Sequence, residues 1–155
     1  MLNTQNLIEL LKKNPRTRRI FCGVLPIDHV PVRRVKRPCS FIVNTDPSTD
    51  PGQHWFAVYV PRREKQPIEY FDSLGRKPHQ PQILEFIRIN SSPYMYNNIR
   101  IQSTESINCG KFALLYLYYR ARGYTMKLYL NFFDKYDLAL NDCIVNGIFQ
   151  KIVNK

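Results

Sequence analysis

The chain is poor in the features that mark metal-binding, exported or membrane proteins. Its four cysteines, Cys22, Cys39, Cys109 and Cys143, are widely spaced and include no C-x-x-C pair. Structural zinc sites and dithiol redox motifs rely on such spacing, and Cys22, His29 and Cys39 have no fourth ligand at a recognisable interval. No metal is expected. A disulfide framework is equally unexpected, because no basic start, apolar stretch and cleavage site mark the chain for export. No apolar run is long enough to cross a bilayer, since Lys, Arg, Asp or Asn breaks each one. Acidic residues are scarce as well, with 12 Asp and Glu against 23 Lys and Arg. These absences predict a soluble, intracellular protein without membrane contact; a monomer is expected.

What is present fits one domain over residues 1–155, because this length suits a single compact unit better than two. A hydrophobic content of 44% supplies a core and argues against disorder. The net charge of +11 gathers in clusters, among them Arg33, Arg34, Lys36 and Arg37. So large an excess in a small domain points to a polyanion or an acidic partner. These four residues are therefore the candidate nucleic-acid contacts, with binding expected to be independent of sequence.

Periodicity gives the organisation. Leu7, Ile8, Leu10 and Leu11 have helical spacing between Asn3 and Asn14, and Pro15 stops the run. Residues 15–38, rich in Pro and Arg, read as irregular. Strands are expected over 40–44, 54–60, 68–72 and 99–103, and a helix over 81–89. Residues 110–122 are apolar almost all round for ten residues, the mark of a helix buried at the centre of a domain, with Gly123 to end it. Beyond Met126 one or two helices follow, with Leu138, Ile144, Ile148 and Ile152 as the apolar stripe. The layout is α+β: a small mixed sheet flanked by helices, with a buried central helix.

Two residues of chemical interest fall near the hairpin formed by the second and third strands. With Pro61–Lys65 as a five-residue loop, His54 faces Asp72 across the ladder. Facing residues have Cβ atoms about 4.5–5.5 Å apart, so the carboxylate can fix the imidazole tautomer and raise the basicity of its far nitrogen. Cys109 stands at the mouth of the apolar helix, with Asn108 as N-cap and Gly110 leaving room beside the thiol. Unpaired N–H groups at a helix start favour a thiolate and can bind an oxyanion. Gln102, seven residues upstream, offers a neutral amide donor for the same oxyanion. Each signal alone has a plain alternative: a surface ion pair, a packed cysteine, a solvent-facing glutamine.

Taken in order, His54-Trp55 opening one strand, Phe71-Asp72-Ser73-Leu74-Gly75 closing the next, then Gln102, a short loop and Cys109-Gly110, the set resembles the adenovirus-protease (adenain) family and its relatives, the proteases of SUMO and other ubiquitin-like proteins. Residues 39–55, CSFIVNTDPSTDPGQHW, resemble the viral branch. That resemblance implies a cysteine endopeptidase with Cys109 as nucleophile, His54 as base, Asp72 as third member and Gln102 as oxyanion donor. It also implies substrate contacts at Trp55, Gly110 and Asn44, and protein precursors with glycine near the cleavage site. The implied task is maturation of the precursor proteins of a virus or virus-like element, in the host nucleus or the particle. Deconjugation of SUMO-like modifiers is the alternative, and a nucleic-acid-binding module with a relic triad is a third reading. No cofactor is required by this chemistry; stimulation by DNA is the one addition the charge invites.

Overall fold

A computed structural model describes residues 2–90 and 93–155. In chain order the elements are α1 (Thr4–Lys13), α2 (Pro15–Arg18), β1 (Phe21–Pro26), a 3-10 turn (Ile27–His29), β2 (Cys39–Asn44), β3 (Trp55–Val60), β4 (Ile68–Phe71), α3 (Pro81–Ile89), β5 (Tyr94–Tyr96), α4 (Cys109–Arg120), α5 (Met126–Leu130) and α6 (Leu138–Val153). The five strands form one mixed sheet in the order β1-β2-β3-β4-β5. The outer pairs, β1–β2 and β4–β5, are parallel, and the inner pairs are antiparallel. The α+β expectation holds.

Alternation along the central strands builds two cores. Ile42, Trp55, Ala57 and Phe71 face a cluster containing Leu7 and Leu11 of α1, Phe112 to Leu117 of α4, and Val145 and Phe149 of α6. Phe41, Val43, Phe56, Val58, Ile68 and Tyr70 face the opposite cluster with Ile83, Phe86 and Ile87 of α3. Strands covered on both faces read as near-continuous apolar runs, as β2 and β3 do. Helix α4 is buried from Cys109 to Leu117 except at half-buried Lys111, which explains why its first half has almost no polar face. Its end forms a Schellman motif, with Tyr124 N–H donating to Tyr119 C=O at 3.1 Å and Gly123 N–H to Arg120 C=O at 3.0 Å. Gly123 takes φ +88°, which a side chain would resist.

Three expectations are corrected. The segment 15–38 is not all irregular: it contains α2 and β1, and β1 exists by parallel pairing with β2, from Phe21 opposite Ser40 to Pro26 opposite Asn44. Its Gly and Pro hide it from local propensity, and only the distant partner makes it a strand. Residues 99–103 form no strand; Ile101 and Gln102 N–H both donate to the Ser73 carbonyl, at 2.9 and 3.1 Å, while the fifth strand lies earlier, at Tyr94–Tyr96. The buried line of α6 is Asn141, Val145 and Phe149, rotated from the expected stripe. Asn141 is a satisfied polar core residue, exchanging 2.7 Å hydrogen bonds with the backbone of Asp134, and a purely apolar pattern passes over it.

One buried charge links sheet and helix. Glu69 on β4 is 4% exposed; burial pushes its carboxyl up, against the pull of Arg120. Arg120 Nη2 donates to it at 2.9 Å, the Tyr116 hydroxyl at 2.5 Å, and the guanidinium lies 4.3 Å from the Tyr59 ring centre. Removing one member of such a pair leaves an uncompensated charge, which costs about 3–5 kcal/mol. Arg120→Met should lower urea stability by that amount, and a change within about 0.5 kcal/mol would show that water reaches Glu69.

Candidate active site

The site is assembled at one end of the sheet, where β3 begins, β4 ends and α4 starts. His54 immediately precedes β3 and Asp72 immediately follows β4. Their hairpin is two residues out of the expected register. The connection runs from Pro61 to Pro67, and Tyr59 faces Glu69 where a five-residue loop would have set it against Pro67. An even slip keeps every side chain on its face. His54 and Asp72 are therefore diagonal rather than directly opposed, and His54 Nε2 still reaches Asp72 Oδ1 at 2.7 Å. The same oxygen accepts Leu74 N–H at 2.9 Å, which fixes the carboxylate in the turn.

Asn97, buried and without any mark in the sequence, holds Asp72 from the other side. Its Oδ1 accepts Asp72 N–H at 2.9 Å and its Nδ2 donates to the Asp72 carbonyl at 2.5 Å. A side-chain amide here replaces the strand partner that β5 no longer provides past Tyr96.

Cys109 is the first residue of α4 and lines the same cleft as the His54 imidazole. With Nε2 occupied by Asp72, Nδ1 is the ring nitrogen left to serve the thiol. Burial alone would raise the Cys109 thiol; the bond to His54 and the N–H groups of Trp55 and Gly110 outweigh it and hold it below the ordinary range. His54 shows the complementary effect. Burial opposes its charge, yet the bonds to Asp72 and Cys109 push it up to about 9. Opposite shifts on the two neighbouring groups favour the thiolate–imidazolium form of the pair.

Asn108 occupies the expected N-cap position but does not cap with its side chain. Its amide turns instead to Asp142 of α6, donating to Oδ1 at 2.9 Å. Among the described residues, Asn108 therefore leaves the first-turn N–H groups of α4 uncapped by its side chain.

Gln102 is buried, and its amide orientation is determined by its partners. Nε2 donates to the Ser106 carbonyl at 2.8 Å, an atom that can only accept, and Oε1 takes the Ser73 hydroxyl at 2.5 Å. One Nε2 hydrogen remains beyond the Ser106 bond. His54, Gln102 and Cys109 line one solvent-open cleft of about 310 Å³.

The loop between Gln102 and Cys109 is tied to α6 by Asp142. Its oxygens accept from the Ser106 hydroxyl, from Ser103 N–H at 3.2 Å and from the Asn108 amide. Burial would raise the Asp142 carboxyl, but the bonds from Ser103, Ser106 and Asn108 hold it below the usual carboxylate range. Nothing local in the sequence marks Asp142, Ser73 or Asn97, because their partners in the site lie far along the chain.

The remaining expected residues are placed as follows. Trp55 pairs with Asn44 across β2 and β3, and both line a second groove, of about 450 Å³. A Cβ on Gly110 would lie 3.4 Å from Trp55 Cδ1, so helix and indole are in contact there. The basic set lies away from the cleft. Arg37 donates to the carbonyls of Asn90 at 2.7 Å and Pro61 at 3.4 Å, Arg34 pairs with Glu64 at 3.3 Å, and Arg33 and Lys36 are exposed. Cys22 on β1 sits beside Cys39, whose hydrogen bond pulls the Cys22 thiol down to about 6. Among the described residues, no group of three or more His, Cys, Asp or Glu side chains is placed to hold a metal ion, and no helix is long and apolar enough to cross a membrane.

The fold is shared with a viral cysteine protease. The chain superposes on the crystal structure of the African swine fever virus pS273R protease with a TM-score of 0.68 over 94% of its own length and 66% of that chain, at 22% identity. In sequence it is 36% identical over 109 residues to "Cysteine protease S273R" of a Malawi tick isolate of African swine fever virus, and 35% identical to "SUMO-1 cysteine protease S273R" of a Kenyan pig isolate. Each match covers 62% of this chain, which spans about 39% of the length of those relatives. No known family profile matches the chain.

Proposed function

We propose that the chain is a cysteine endopeptidase in which Cys109 is the nucleophile, His54 its proton partner, Asp72 the group that orients His54, and Gln102 an oxyanion donor. The observation that carries this reading is the Cys109–His54–Asp72 line at the mouth of α4, opening into a cleft. The Cys109 thiolate attacks the scissile carbonyl, and the negative charge passes to the carbonyl oxygen beside Gln102 Nε2 and the first-turn N–H groups of α4. Imidazolium His54 then gives its proton to the leaving amine as the C–N bond breaks, which leaves an acyl-enzyme. Water, deprotonated by neutral His54, attacks the thioester and releases the acid and the thiol.

Asp72 keeps Nε2–H aimed at itself throughout, so Nδ1 always serves the sulfur. The substrates in this proposal are viral precursor proteins with glycine near the cleavage site, as the resemblance to the adenain branch implies. Contact between Gly110 and Trp55 beside the thiol supports small residues there. A second reading, removal of SUMO-like modifiers, is favoured by the name of one relative, a "SUMO-1 cysteine protease". Nucleic-acid contact through the exposed Arg33 and Lys36, with rate stimulation by DNA, belongs to the same proposal and rests on the +11 charge.

Proteomic mapping of new termini after incubation with precursor extracts, against Cys109→Ala, tests the activity. Cuts after glycine that appear only with the wild type support it; identical maps refute it. A vinyl-type probe on a SUMO-like modifier, run beside glycine-containing peptides, separates the two readings.

A further inference from the structure

The cleft that holds His54, Gln102 and Cys109 carries a charge pattern that the proposed chemistry does not use. Its charged rim is Arg76 and Arg100, both exposed, and among the described residues no carboxylate lines it. The groove on the far side of Trp55 differs, with Asp50 in its lining and neither Lys nor Arg. The general basic excess is therefore not spread evenly over the two grooves that flank the site.

A close backbone approach brings the two arginines together. Gly75 takes φ +70°, and a Cβ there would lie 2.7 Å from Arg100 N and 2.7 Å from Ile99 C. Only glycine lets the turn after Asp72 pack against residues 99–100, and this sets Arg76 and Arg100 on one wall. Arg100 is also pre-organised. Its Nε donates to the Gln102 carbonyl at 2.9 Å and its Nη2 to Thr104 Oγ1 at 3.3 Å, so its guanidinium is fixed beside the oxyanion loop.

We propose that Arg76 and Arg100 form a substrate subsite for an acidic residue, placed on the cleft side of the scissile bond. This rests on the protease reading above and adds the chemistry of one substrate position. Guanidinium groups are suited to carboxylates because their planar fork offers paired donors. Arg100, already held by Gln102 and Thr104, loses less side-chain freedom on binding than a mobile lysine would. Polyphosphate backbones carry the same charge, but the wall lies inside the cleft that bears the thiol, where an extended peptide passes.

The test uses glycine-containing peptides in which a single Glu, Gln or Lys is moved through each position on both sides of the cleaved bond. For the wild type, one position should show kcat/KM about tenfold higher for Glu than for Gln, equal to about 1.4 kcal/mol, with Lys lowest. The ratio should shrink as salt is raised, because exposed charges are screened. In Arg76→Ala the Glu/Gln ratio should fall towards one, and in Arg76→Glu the preference should turn to Lys. Arg100→Lys, which keeps charge and the reach to Gln102 but loses the fork, should fall between. Turnover of the Gln peptides by the wild type reports on the protease reading alone, and the ratio reports on the subsite. If no peptide is cut, anisotropy of the same labelled peptides on Cys109→Ala reads the Glu/Gln ratio as binding. Equal values for Glu, Gln and Lys at every position overturn the proposal, as does a Glu preference that Arg76→Glu leaves unchanged. Competition by short DNA that is relieved in Arg76→Glu, without any Glu/Gln preference, assigns the wall to nucleic acid and overturns it too.

Discussion

Cys109→Ala and His54→Ala should each reduce peptide turnover to background with the fold intact; the urea midpoint should stay close to wild type in Cys109→Ala and fall in His54→Ala, which strands the buried Asp72. The two losses have different causes. Without the Cys109 sulfur there is no atom to form the thioester, and the other cysteines cannot replace it: Cys39 is buried against β3, and Cys22 and Cys143 lie outside the cleft. Without His54 the thiol loses the bond that holds it below the ordinary range, and the leaving amine loses its proton donor. General acid–base help of this kind contributes about 10²–10⁴, and the thiolate loss adds to it. Asp72→Asn should be milder, because the Cys109–His54 pair survives it; the amide removes the charge that raises His54, so burial should then draw the imidazole down from about 9. Wild-type turnover in Cys109→Ala would remove the nucleophile from the account.

Gln102→Ala should lower kcat on the order of 10²–10³, the range for losing one oxyanion-hole donor, with little change in KM. The amide is held at both ends, by Ser73 and by Ser106, so its donor is in place before substrate arrives. Pre-positioned donors are worth most because nothing need reorganise as charge develops. Ser73→Ala supplies the contrast. It leaves the amide present but frees its oxygen end, so kcat should fall by less than in Gln102→Ala. Equal activity of Gln102→Ala and wild type would assign the oxyanion to the helix N–H groups alone.

The site was legible in the sequence to the extent that its parts have local signatures. Cys109-Gly110 opens an apolar helix and His54-Trp55 opens a strand, and such breaks in pattern are visible without a structure. The hairpin register was misjudged by two residues because Pro61–Pro67 forms a longer connection than a polar five-residue loop. The His54–Asp72 contact survived that error only because the slip was even. Asn97, Ser73 and Asp142 were not legible. Each acts through hydrogen bonds to residues 25 to 39 positions away, and no spacing rule reaches that far. Strand β1 was missed for the same reason, since its partner lies across an irregular segment.

Whether Cys109 is a thiolate poised by His54 can be read by residue-resolved alkylation. Reaction with iodoacetamide, followed by peptide mass spectrometry from about pH 4 to about pH 10, reads the thiolate fraction of each cysteine separately. Resolution by residue matters because Cys22 also ionises early, near 6, through Cys39. In the wild type Cys109 should reach its fast plateau below the ordinary thiol range. In His54→Ala its reaction should move up towards about pH 8.5 or beyond, while Cys22 is unchanged. A wild-type Cys109 that reacts only near that ordinary value, and is indifferent to His54→Ala, would contradict the poised thiolate.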